Sequence, residues 1–166
     1  MNRPTLVLWT LAKVALSVLF AGWGALYFRR WDPDLGVSLP AWTWRPGLIF
    51  LIFGGVLVLT CGGILSTRGI YETPGDRLFP KEFVAFGPFR YLRNPMSLGG
   101  VILMTGLGLY ESSGCILLLA AVLFLFFHWL VVYLEEPGLE RRFGDRYRDY
   151  KRSVNRWLPK FTGNKP

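Results

Sequence analysis

Four apolar runs, separated by segments that hold almost all of the charge, leave this chain few ways to fold. At 1.5 Å per residue, a helix needs about twenty residues to cross a hydrocarbon core of about 30 Å. Leu6 to Phe28, about Gly47 to Ser66, and Cys115 to Leu134 meet that length, whereas Met96 to Tyr110 is short for it. The expected fold is an all-α integral membrane protein of four transmembrane helices, with a C-terminal helical hairpin and a cytoplasmic amphipathic helix. Of 166 residues, 52% are apolar, which is rare in soluble domains of this size. The net charge of +8 collects between and after the runs, pointing to membrane lipid headgroups and not to nucleic acid.

Residues 1–67 read as two spans joined by an interfacial loop, and residues 68–166 as a polar connection, a hairpin and a basic tail, all in one compact domain. The first run is too long for a signal-peptide core and no small-residue cleavage site follows it, so it is expected to be a retained anchor. Lys13 lies near its start, placed to snorkel to the interface. The segment at 31–46, with its prolines and tryptophans, is expected to be irregular and to lie on the membrane surface. In the second run, the pairs Gly54-Gly55 and Gly62-Gly63 offer small faces for close helix approach. Cys61 and Cys115 sit inside apolar runs as packing residues. With a single His and no ligand-spaced cluster, no metal centre is expected.

The chemically unusual stretch is Gly87 to Gly100, GPFRYLRNPMSLGG, which sets cations, prolines and an Asn directly before an apolar run. The tight turn at Glu111 to Gly114 makes the third and fourth runs a hairpin, bringing Asn94 and Glu135 to the same end. Fifteen of the nineteen Lys and Arg residues fall in the N-terminal tail, the 67–95 loop and the C-terminal tail, so both termini and both motifs are expected at the cytoplasmic face. Leu139, Phe143, Tyr147 and Tyr150 are spaced for one stripe of an amphipathic helix from Leu139 to Trp157, with Arg156 and Trp157 docking at the interface.

Arg90, Arg93, Asn94, Glu135 and Glu136 together match a zwitterion: an Arg for its carboxylate and a Glu for its ammonium. The aromatics Phe83, Phe86, Phe89 and Tyr91 are suited to a flat ring or a cation. The plainer alternative anchors Arg90 and Arg93 to lipid phosphates and pairs the glutamates with Arg141 and Arg142. His128 precedes Glu135 by seven residues, close to two helical turns, so the two are expected on one face, although a lone His is more often a packing residue. Arg93 and His128 are the candidate catalytic groups, with the catalytic residue itself left open.

GPFRYLRNPMSLGG, followed about forty residues later by EEPGLERRFGDRYRDYKRSVNRWLP, resembles the isoprenylcysteine carboxyl methyltransferase family and the similar phospholipid methyltransferases. The resemblance covers roughly Lys81 to Pro159. It implies an enzyme that transfers a methyl group from S-adenosylmethionine to a small lipophilic or lipid acceptor at the cytoplasmic membrane face. Carried over by position, the implied cofactor contacts are Lys81, Glu82, Phe83, Val84, Phe89, Arg90, Asn94, Pro95, Met96, Ser97 and Glu135. In that assignment Glu135 takes the ammonium, the Arg90/Arg93 region the carboxylate, and the 81–89 segment the adenosine. The family commonly has Tyr at 89, His at 94 and Tyr at 97. At Val131 the prenylcysteine enzymes carry an Arg, so the resemblance leaves the acceptor and its methylated atom open, along with the oligomeric state. Two other classes fit the outline: a membrane reductase with a similar hairpin and a nicotinamide cofactor, and a non-enzymatic membrane scaffold.

Overall fold

The computed structural model describes residues 22–67 and 83–160, and among these the only regular structure is helical. Helix α1 spans Trp44–Thr67, α2 Pro95–Tyr110 and α3 Gly114–Leu130. A π turn at Val131–Glu135 leads into α4 (Glu136–Phe143) and α5 (Asp145–Ser153). Residues 22–29 are helical too, and Ala25 packs with Met104 of α2 and with Ile116 and Ala120 of α3. Most of the first apolar run, with Lys13, lies outside the described residues, as do Lys81 and Glu82.

Two helical stretches are long and apolar enough to cross a membrane, Ala41–Leu65 and Gly114–Phe143, and only 22% of each apolar window is buried inside the protein. The core helix of a soluble domain would be mostly buried. Here Ile49, Phe53, Val56 and Leu59 on α1, and Leu118, Val122 and Leu125 on α3, are each more than half exposed, as lipid-facing residues are. Helix α2, with 16 residues, is about 24 Å long, less than a full hydrocarbon core.

Lipid offers no hydrophobic drive for helices to associate, so α1 and α2 meet through backbone contact. They run antiparallel along a seam of glycines seven residues apart on each helix: Gly47 and Gly54 against Gly106 and Gly99. A Cβ at Gly47 would lie 2.4 Å from the Tyr110 nitrogen, at Gly54 2.8 Å from the Leu103 nitrogen, and at Gly106 2.6 Å from the Leu51 nitrogen. The glycine pairs singled out in the sequence supply one residue to this seam. A Cβ at Gly55 meets only Leu103 Cδ2 at 3.9 Å, and at Gly62 or Gly63 it meets nothing within 4 Å. Adjacent residues point about 100° apart on a helix, so only one of a pair can face the neighbour.

At one end of the bundle the 31–46 segment is docked, not loose. It forms one helical turn at Asp32–Leu35 and a 3₁₀ turn at Ala41–Thr43. Leu39 N donates to Ser112 O at 2.8 Å and Gly114 N to Val37 O at 3.0 Å, bridging this segment to the α2–α3 turn. The Thr43 hydroxyl donates to Leu109 O at 2.8 Å, and Arg29 pairs with Glu111. Asp32 is buried, and its Oδ1 accepts the Cys115 N–H at 2.8 Å at the start of α3. Burial alone would raise the Asp32 pKa, but hydrogen bonds with Ser113 and Cys115 and the Arg29 charge outweigh it and hold the carboxyl below its ordinary value.

The tail is not one helix from Leu139 to Trp157. It turns at Gly144, whose φ is +54°, and the second helix stops at Ser153. The expected stripe still packs together: Leu139, Phe143, Tyr147 and Tyr150 share a cluster with Phe83, Ala85 and Val154.

Two measurements check this account. Gly54→Ala should lower thermal stability in detergent, by about 1–3 kcal/mol, because backbone atoms block the new methyl. Its neighbour Gly55→Ala should be neutral or stabilising by up to about 1 kcal/mol, as Ala is the better helix former. For Asp32, whose folded pKa is depressed, the stabilisation is complete above the unfolded value of about 3.9 and is lost as pH falls through the lower folded value. Melting curves of the wild type and Asp32→Asn should therefore differ at neutral pH and converge at the acid end.

Candidate functional site

The other end of the bundle gathers the two motifs. Asn94 is the N-cap of α2 and makes no side-chain capping bond, and Pro95 opens the helix. Pro137, near the start of α4, has a second effect. Lacking an N–H and crowding the carbonyl four residues back, it cannot continue an α-helix from α3 without distortion. The chain responds with the π turn, closed by the Glu136 N–H on Val131 O. That five-residue step puts Val131 and Glu136 on the same inner face, at 0% and 3% exposure.

Glu136, not Glu135, is thus the glutamate that turns inward. Arg156 Nε donates to its Oε1 at 2.6 Å and Arg156 Nη2 to its Oε2 at 3.1 Å. Lys151 Nζ lies 3.3 Å from Oε2, and Arg93 Nη1 lies 3.0 Å from Oε1. The last contact is close but out of line, so Arg93 Nη1 has no hydrogen-bond partner; neither has Arg93 Nε, nor the buried Asn94 Nδ2. The Arg93 side chain is only 9% exposed. Buried donors left unpaired are costly and rare in folded proteins, and an anionic or carbonyl group of a ligand would satisfy these.

Tyr147 and Tyr150 form the floor beside Arg93. Burial, reinforced by the Glu136 charge and partly offset by Arg93, pushes the Tyr147 phenol up to about 12. Tyr150 is raised further, by burial first and then by Tyr147, and its hydroxyl donates to the carbonyls of Phe89 and Leu92. The Glu136 carboxylate raises the pKa of Arg156, so its guanidinium is a fixed charge.

The residues named from sequence fall into three groups. Asn94 and Pro95 are buried at the convergence beside the largely enclosed Arg93 side chain, Met96 and Ser97 are half-buried in the first turn of α2, and Glu135 is half-buried at the rim with no ion-pair partner among the described residues. Val84 is buried nearby, Phe89 is half-buried, and Arg90 and Tyr91 are exposed. Phe83 is taken up by packing, its ring 5.0 Å from Tyr150 and 5.7 Å from Phe143. His128 is exposed and accepts a hydrogen bond from Trp157 Nε1 at 3.0 Å. The π turn lies between it and Glu135, so seven residues no longer close on two α-helical turns and the expected shared face is lost.

The alternative pairing of the glutamates with Arg141 and Arg142 is not what forms. Arg141 Nε donates to Pro137 O at 3.2 Å, and Arg142 lies over the Phe143 ring. Sequence reasoning missed Glu136 as the inner glutamate, and Lys151 and Arg156 as its partners. Pro137 carried the signal for the first, and nothing local distinguishes Arg156 from any other basic residue in the tail.

Comparison with known proteins bears on the same region. A family model described as phospholipid methyltransferase matches residues 42–146. Methanethiol S-methyltransferase 1 of Bradyrhizobium diazoefficiens is 27% identical over 169 aligned residues, covering 95% of this chain and 54% of that protein. Methanethiol S-methyltransferase of Mycobacterium tuberculosis is 27% identical over 162, covering 95% of this chain and 64% of its own length. The chain therefore spans between half and two thirds of these relatives. Among solved structures, the eukaryotic intramembrane Ras methyltransferase, an isoprenylcysteine carboxyl methyltransferase, superposes with a TM-score of 0.64 at 20% identity, covering 90% of this chain and 54% of the other, a likeness of fold. With well over half of its residues matched, from the start of α1 into α5, the chain belongs to the phospholipid methyltransferase family.

Proposed function

We propose that this protein is a multi-pass membrane methyltransferase that uses S-adenosylmethionine and acts on a small lipophilic or lipid acceptor. The observation that carries the reading is the convergence of the hairpin's ends: buried donors on Arg93 and Asn94 that make no hydrogen bond, at the same end as a half-buried Glu135 with no ion-pair partner among the described residues. Cation and carboxylate side by side complement the zwitterionic end of the cofactor. Arg93 and Asn94, at the positive end of the α2 dipole, would hold its carboxylate, and Glu135 its ammonium.

When bound, the cofactor supplies a sulfonium-activated methyl group, so the protein's work is alignment and exclusion of water more than acid–base chemistry. No catalytic base is assigned. His128, exposed and bonded to Trp157, is poorly placed for that role. Lys81, Glu82, Phe83, Val84 and Phe89 remain proposed for the adenosine side, with Pro95, Met96 and Ser97 at the start of α2.

The acceptor would reach the site from lipid along the lipid-facing surface of α3. The relatives' names point to a small thiol as one acceptor to test, and fully buried Val131 leaves that position without a cation for a carboxylate substrate. Four spans in one compact domain, with both termini cytoplasmic, follow from the apolar runs and the Lys and Arg count.

In nanodiscs, S-adenosylmethionine should bind in calorimetry, and Glu135→Ala should weaken it by at least about tenfold through loss of a charge-assisted hydrogen bond. An undiminished affinity would remove Glu135 from this role, and no binding to the wild type would remove the donor. Turnover is read by transfer of a labelled methyl group, with methanethiol and total membrane lipid offered as separate acceptors. Label in either product is the expected result, and label in neither sinks the acceptor class.

A further inference from the structure

The chain beyond α5 folds back onto the site. Arg93 N donates to Asn155 O at 2.9 Å and Lys160 N to Tyr91 O at 3.2 Å, so the tail runs along the 91–93 backbone. Trp157 is fixed by His128 and by the Phe124 ring, 5.2 Å away. Between these anchors Arg156 reaches Glu136. There two guanidiniums meet at one oxygen: Arg156 Nε bonds Oε1 in line at 2.6 Å, while Arg93 Nη1 forms an ion pair with the same atom at 3.0 Å without hydrogen-bond geometry. These tail residues all lie beyond the stretch matched by the family model, which ends at 146.

We propose that Arg156 is a positioning residue: by donating in line to Glu136 it keeps the 3.0 Å Arg93–Glu136 ion pair from becoming a hydrogen bond, and so leaves Arg93 Nε and Nη1 for the carboxylate of the ligand's amino-acid end. This rests on the methyl-donor reading above. Without Arg156, Glu136 would remain buried and would recruit Arg93 as its main partner, withdrawing the Arg93 donors from the ligand. Lys151 does not substitute, since its ammonium, a single point charge, is shared with Glu140 at 3.6 Å. A tail that served only as a staple would affect every ligand of the site alike.

Two nucleosides separate these cases: S-adenosylhomocysteine carries the amino-acid end, and 5′-methylthioadenosine lacks it. In calorimetry on the full chain in nanodiscs, Arg156→Gln should weaken S-adenosylhomocysteine by about tenfold and leave 5′-methylthioadenosine unchanged. Retained binding of the second ligand also reports that the variant is folded. Arg156→Lys, which keeps the charge but cannot span both oxygens, should fall between wild type and Gln. Equal losses for both nucleosides in both variants, or no loss for either, would overturn the proposal and leave the donor reading standing. Failure of the wild type to bind either nucleoside would overturn the donor reading and the proposal with it.

Discussion

A carboxylate that is 3% exposed governs the architecture of the motif end. Removing such a group from water costs several kcal/mol, recovered only if cations and hydrogen bonds surround it. Glu136 finds Arg93 from the segment before α2, Lys151 from α5 and Arg156 from the tail. Three parts of the chain that share no helix are thereby tied to one point. The pairing is also unbalanced. Three cations face Glu136, and only Lys151 is shared with a second acid, Glu140. The excess positive charge lies beside the N-terminus of α2, where the helix dipole adds to it.

The two ends of the bundle differ in how completely their polar groups are satisfied. Around the α2–α3 turn, Asp32, Thr43 and Ser113 are buried and each is hydrogen-bonded. That end is a latch, and its chemistry is used up in holding the loop. At the motif end, Asn94 and the Arg93 side chain are nearly as deep, yet Asn94 Nδ2 and Arg93 Nε and Nη1 make no hydrogen bond. The glycine seam accounts for how such a site can persist. Backbone-to-backbone contact along the seam holds α1 against α2, so the Asn94 Nδ2 donor at the N-terminus of α2 need not be spent on joining the two helices.

Much of this was legible in the sequence because lipid restricts what an apolar run can become. The lengths of α1 and α3, the short α2 and the hairpin that joins Arg93 to the glutamate pair all follow from run length and turn length. Facing was harder. Which glycine of a pair meets its neighbour depends on helix rotation, so Gly54 could be named but not distinguished from Gly55; Gly99, paired with Gly100, was not singled out as a contact, and Gly47 and Gly106 gave no paired signal. The stripe from Leu139 to Tyr150 gave the right packing partners across a break at Gly144 that its spacing does not reveal. Arg156 could not be found at all, because an ion pair over twenty residues is decided by the path of the tail and leaves no periodic trace.

The division of labour between two adjacent glutamates follows from Pro137. In an uninterrupted α-helix, Glu135 would sit one turn beyond Val131, on the buried face, and Glu136 would be rotated away from it by about 100°. The π turn inserts one residue into that spacing and exchanges them: Glu136 goes inward to the cations, and Glu135 is left at the rim. Had Glu135 taken the inner position, the chain would hold the same charges but present a different surface, with the rim glutamate displaced from the hairpin end where Arg93 and Asn94 converge. Complementarity to a zwitterion thus depends less on which residues are present than on one imino acid that forces the helix to widen. A carboxylate consumed by the protein's own cations and a carboxylate left for a ligand are two consequences of that one distortion.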